Sequence, residues 1–251
     1  MARGKQSGGV TRDPASENFA AGYKLATGHP LFAPFAMRTH VARSPQARYP
    51  VNGWATVSSN GSIAVHPKRL AQPEEWAWVL GHCYLHLGMN HFQDRLHQRE
   101  WDLACDCTVY QFLAALKLGR PPPGLDGLPL DQLPARSEES LFRYFCENGI
   151  PETFPAASLT GTHETDMVRG QSRPRYTKPT DWQSLFAEGL RLAVAHAVDT
   201  AGPRRHHPRG PRRLTTAEKA REWFVSSYPL LGALAASFEI VEDQLICHRM
   251  E

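Results

Sequence analysis

The chain has 251 residues, 41% of them hydrophobic and 10% aromatic, with a formal net charge of +3. That composition supplies a real core and excludes wholesale disorder, and so small a charge makes no electrostatic case for nucleic acid. No apolar run approaches bilayer length; the longest candidate, "YPLLGALAASFEI", is short and holds a proline.

The opening "MARGKQSGGVTRDPAS" has no apolar stretch and is no secretory signal, so residues 1–15 read as a disordered polar tail. Five cysteines, an odd number without regular spacing, fit reduced thiols and a cytoplasmic protein. A first helix is expected over "SENFAAGYKLATGHP", with Ser16 as its cap and Gly28 and Pro30 as its stop. "MRTHVAR" reads as a strand. Residues 53–67, "GWATVSSNGSIAVHP", form two alternating segments around Asn60-Gly61, the signature of a hairpin.

"QPEEWAWVLGHCYLHLGMNHF" predicts a helix with Pro73, Glu74 and Glu75 in its first turn. "REWDLACDCTVYQFLAALKLG" predicts a second, ending near Gly119. "RPPPGLDGLPLDQLP" is a loop, and Ser137 starts a short helix, "SEESLFRYFCENG". Residues 151–180 are polar, proline-rich and aperiodic, and read as a linker. A third long helix, "DWQSLFAEGLRLAVAHAVDTAG", is capped by Thr180. Residues 202–213, "GPRRHHPRGPRR", form a basic loop; without interleaved aromatics they read as a solvated linker rather than a nucleic-acid contact. "TTAEKAREWFVSSYPLLGALAASF" is a fourth helix, broken at Pro229. The apolar faces over 181–238 must bury against the protein's own core or a protein partner, with Trp182, Trp223 and Phe224 the first places to look. Residues 30–41 and 229–240 share a weak similarity, as if 181–251 held the start of a truncated second copy.

His82 and His86, four residues apart, lie on one helix face, where both imidazoles can reach one ion. Twelve histidines make such a pair common by chance, so the spacing alone leaves a core-facing pair open. A hairpin before the pair and a second helix bearing Asp102 and Asp106 make a metal site credible. Two histidines with the Asp106 carboxylate are an acceptable zinc set that leaves one position open. The alternative for both aspartates is a solvated helix face, or a carboxylate orienting a histidine from behind. Cys105-x-Cys107 faces two ways on a helix and reads as packing.

"PEEWAWVLGHCYLHLGMNHF" followed by "REWDLACDCTVYQFL" resembles a bacterial metallopeptidase domain found N-terminal to a VWA-like domain. Members show H-E-x-x-H after a strand, a further histidine five residues on, and a Trp-Asn-x-Ala-x-Asp segment on the next helix. Here those places hold His82, His86, His91 and Trp101 to Asp106; "SEESLFRYF", with Ser140, and "TDWQSLF" resemble later segments. The resemblance spans about residues 16–200. It implies an α+β fold: a small mixed sheet with a zincin-like, histidine-bearing helix pair over 16–150, then an extended helical region. It also implies a zinc metallopeptidase with His82, His86 and Asp106 as ligands.

Two departures fall inside the motifs. Cys83 stands where the motif has its glutamate, and Asp102 where it has asparagine. The Asp-x-Ser-x-Ser pattern of the VWA-like half is absent. In a zinc peptidase the glutamate takes a proton from the attacking water and delivers it to the leaving amine. A cysteine is shorter, projects about 100° away from His82 on the helix, and is most simply a small buried apolar residue. Peptidase turnover is therefore expected to be weak or lost, unless Asp102 or Glu100 substitutes as the base. The alternative of a different class is a non-catalytic interaction or scaffold protein whose site is structural or empty.

Overall fold

The computed structural model describes residues 13–129, 132–133, 137–152, 154–169, 179–200, 238–241 and 244–247. In chain order these form α1 (Pro14–Gly28), α2 (Ala33–Ala36), β1 (His40–Ala42), β2 (Ala55–Ser58), β3 (Ser62–Val65), α3 (Pro73–Gly88), α4 (Gln98–Leu116), α5 (Glu138–Asn148), β4 (Met167–Val168), α6 (Trp182–Thr200), β5 (Phe238–Val241) and β6 (Gln244–Cys247). The fold is α+β, with a small four-stranded mixed sheet in the order β1-β3-β2-β4. β2 and β3 run antiparallel as the expected hairpin, while β1 joins β3, and β4 joins β2, in parallel. Three residues separate the hairpin strands. Gly61 takes the left-handed position at φ +89, and its amide donates to the Ser58 carbonyl.

α3 is the axis of the molecule. Every residue from Glu75 through Gly88 is buried, as befits a helix enclosed on all sides. Its start is fixed by a capping box, in which the Glu75 carboxylate accepts from the Gln72 amide at 2.8 Å. α1 crosses it closely: a Cβ added at Gly22 would lie 2.4 Å from the Cβ of Trp76. α6 lies against α2 and α3, where a Cβ at Gly189 would come within 2.0 Å of the Leu31 carbonyl oxygen. Such approaches admit only glycine.

Several expected boundaries move by a few residues. Asp13, not Ser16, caps α1, because its carboxylate accepts from the Ala15 amide. α4 ends at Leu116, where Lys117 turns left-handed at φ 56, before Gly119 is reached. Asp181, not Thr180, caps α6, accepting from the Ser184 amide at 3.0 Å. Ser137 caps α5 as expected.

The larger difference lies in the stretch expected to be a linker. Residues 157–160 and 166–167 are buried, and β4 adds a fourth strand beside β2. Three apolar side chains, Ala157, Leu159 and Met167, are enough to seat it. α6 then buries Trp182, Phe186, Leu190 and Ala193 against the body, with Trp182 stacked on Phe35 and donating to the Ser59 carbonyl. The described half of the 181–238 region thus spends its apolar face on its own core. The basic loop, the fourth helix, Trp223 and Phe224 lie outside the described residues. Among the described residues, no helix is long and apolar enough to cross a membrane.

Candidate metal centre

His82 and His86 project from the middle of α3 into a fully buried space, each at 0% exposure. An imidazole carried there needs partners to offset its lost hydration. Asp106, from the middle of α4, provides one: its Oδ1 lies 3.4 Å from His82 Nε2 and 3.1 Å from His86 Nε2. The other is Asp166, immediately before β4, with Oδ2 at 3.2 Å from His82 Nε2 and Oδ1 at 3.7 Å from His86 Nε2. The two histidine Nε2 atoms are 2.8 Å apart.

These separations have a simple meaning. Zinc with nitrogen and oxygen ligands at ~2.0–2.1 Å, arranged tetrahedrally, places neighbouring ligand atoms about 3.3 Å apart. The contacts between imidazoles and carboxylates, and between the two imidazoles, run from 2.8 to 3.7 Å, with Asp166 presenting a different oxygen to each histidine. One ligand atom from each of His82, His86, Asp106 and Asp166 lies within 4.8 Å of all the others, so the group could hold a metal ion. The buried Oδ1 atoms of Asp106 and Asp166 accept no hydrogen bond, although imidazole nitrogens stand close by. Short distances with poor hydrogen-bond direction are what ligands aimed at a shared centre produce.

Without a cation, the same side chains pair with one another. Burial alone would depress His82, but Asp166 and Asp106 outweigh it and raise His82 to about 9. Burial would raise Asp166, but His86 and His82 pull it down to about 2. Asp166 is also held from behind, since its Oδ2 accepts the Leu159 amide at 2.9 Å. Its own carbonyl accepts the Val57 amide at 2.8 Å, which ties the ligand to the sheet.

His91 stands behind His86. Asn90, left-handed at φ 57, turns the chain back just past α3, and His91 Nδ1 comes to 3.0 Å from His86 Nδ1. Burial, with His86 and His82 nearby, holds His91 well below its ordinary value, hence neutral. In the tautomer where neutral His91 accepts the Nδ1 proton of His86, the His86 Nε2 carries a lone pair that a cation can use. His82 has no such support; its Nδ1 is buried without a partner, and its ring is held between Trp78 and Tyr110.

The structure therefore brings His82, His86 and Asp106 together, and adds Asp166. Only a lone carboxylate before "MV" hinted at Asp166, inside a stretch whose composition spoke for a linker. Asp102 is not at the cluster's centre. Its Oδ1 accepts from Gln98 and Arg169, and its Oδ2 from Arg169, so its lone pairs are already engaged. Glu100 bears on the Cys146 thiol of α5 instead. Cys83 is fully buried, and burial, reinforced by Asp166, pushes its thiol well up, so it stays protonated and apolar in role. Cys105 and Cys107 belong to separate apolar clusters.

No protein-family model, curated protein or solved structure matches the chain.

Proposed function

We propose that this is a zinc-binding, metallopeptidase-like protein of zincin-like architecture in which peptide hydrolysis is weak or lost. The observation that carries the reading is the buried His82, His86, Asp106 and Asp166 group, whose candidate ligand atoms all lie within 4.8 Å of one another. Two histidines one helical turn apart, a carboxylate on the next helix and a hairpin ahead of them support the zincin-like part. A bound zinc ion would supply Lewis acidity at that point.

The chain's own residues supply little of the rest of the reaction. Cys83 offers a protonated, enclosed thiol where a proton shuttle is needed. Asp102 is committed to Arg169 and Gln98, and Asp166 sets a fourth donor beside His82 where a peptidase needs an open position. The last observation also favours a second reading, a scaffold protein whose metal serves structure.

Metal analysis of the purified protein tests the proposal. One zinc per chain is expected, falling to a small fraction in His82→Ala and unchanged in Cys83→Ala. Absence of metal from the wild type would sink the reading. Zinc retained by Cys83→Ala excludes a thiolate ligand, and its loss would show one. Peptidase assays on wild type and Cys83→Glu, each checked for folding, then separate the two readings: activity gained by the glutamate marks a disabled enzyme.

A further inference from the structure

A cleft of about 280 Å³ lies between α4 and the segment that leads into β4. Asp106, one of the four clustered carboxylate and imidazole residues, forms part of its wall, and so does Thr165, the neighbour of Asp166. Leu103, Ile150, Phe154 and Ala157 give it apolar lining, and Arg99, His163 and Glu164 are among its polar and charged lining. Asp166 itself is wholly enclosed, at 0% exposure. The cleft thus runs beside Asp106 and Thr165, and Asp166 lies outside its lining.

Asp166 differs from the other three ligands in how it is held. His82, His86 and Asp106 each stand mid-helix, on α3 or α4. Asp166 stands at the start of a two-residue strand, preceded by exposed residues 161–164. Its Oδ1 has no hydrogen-bond partner, and its Oδ2 has the Leu159 amide. Asp166 is thus the one of the four that no helix carries, and its neighbour Thr165 lines the cleft.

We propose that Asp166 is an internal occupant of a ligand-binding position: its carboxylate fills the corner of the metal site that would otherwise take the head group of a molecule lying in the cleft. The ligand class follows from the surroundings. The head group is a monoanionic oxygen donor, a carboxylate or hydroxamate, because it replaces a carboxylate among the same neighbours. The body is small, with an apolar part that suits Leu103, Ile150, Phe154 and Ala157, in a cleft whose remaining lining is polar. The proposal rests on the metal site inferred above.

Full-length protein loaded with Co2+ in place of zinc tests it, with benzohydroxamate as the probe and the visible Co2+ absorption bands as the readout. Asp166→Ala opens the corner; Asp166→Asn opens it while keeping an acceptor for the Leu159 amide. Both variants are expected to retain the ion and to show a saturable spectral change with benzohydroxamate. The midpoint should lie at least tenfold lower than in wild type. A variant of Leu103→Arg in the Asp166→Asn background should weaken that binding, because it fills the apolar wall. If wild type takes up no Co2+, the metal reading itself fails and this inference with it. Uptake by wild type but not by either variant makes Asp166 an indispensable ligand and overturns the inference alone. So does a folded, Co2+-loaded variant whose spectrum ignores the probe, or a wild type that binds it equally well.

Discussion

Asp166 and His82 face each other in the buried cluster, both wholly enclosed. The pairing of Asp166 with His82 also fixes how the metal-free protein responds to pH. His82 is raised from 6.5 to about 9, so the stability it contributes is fully present below pH 6.5 and is lost as pH rises through 9. Asp166 is lowered from 3.8 to about 2, so its contribution is present above pH 3.8 and is lost as pH falls through 2. Chelator-treated protein is therefore expected to be most stable from about pH 4 to 6.5, with melting temperature falling on the alkaline side. Zinc-loaded protein should lack that alkaline fall, since His82 is already deprotonated as a ligand. Thermal melts across pH with and without chelator check both statements; an alkaline fall of equal size in both would refute the shared role of His82. His82, His86 and Asp106 were legible because helical spacing and a following acidic helix are visible in a linear string. Asp166 was not, since its meaning depends on a strand only two residues long.

Among the elements, the decisive one is β4. It is the shortest strand among the described residues, it sits at a sheet edge, and Asp166 just before it completes the buried cluster. One residue past it, Arg169 grips the Asp102 carboxylate of α4 through both terminal nitrogens, and its Nε lies 3.9 Å from Asp94. This clamp joins the β4 segment to the helix that bears Asp106. The departure of Asp102 from the asparagine of the resembled motif thereby finds a use, because a carboxylate takes a guanidinium with both oxygens. Arg169→Met is expected to weaken zinc binding about tenfold, in the range typical when groups supporting metal ligands are removed. Asp102→Asn, which keeps one acceptor, should cost less. Competition titrations with a chromogenic chelator measure both, and equal affinities in wild type and Arg169→Met would show the clamp to be irrelevant. The helices were readable from their caps and periodicity, and the hairpin from Asn60-Gly61. The parallel pairings of β1 and β4 were not, since no local signal marks a partner distant in sequence.

For the molecule as a whole, a cation at this site ties together α3, α4 and the β4 segment, three parts of one core. Removing it should loosen the entire fold. At a free zinc concentration a thousandfold above the dissociation constant, binding to the native state alone is worth about 4 kcal/mol. In a domain of this size that corresponds to a melting temperature lower by about ten degrees after chelation. Calorimetry before and after chelator treatment gives the number, and an unchanged transition would leave the site without a role in stability. The exposed residues 161–164 bear on the same integration. They stand in solvent between buried residues 157–160 on one side and Asp166 with Met167 on the other. A protease that nicked this short bridge would cut the backbone without parting the pieces, which would still share an interior and a sheet. By that measure the protein is two complementary fragments written as one chain, and the second fragment brings the carboxylate that completes the buried cluster of the first.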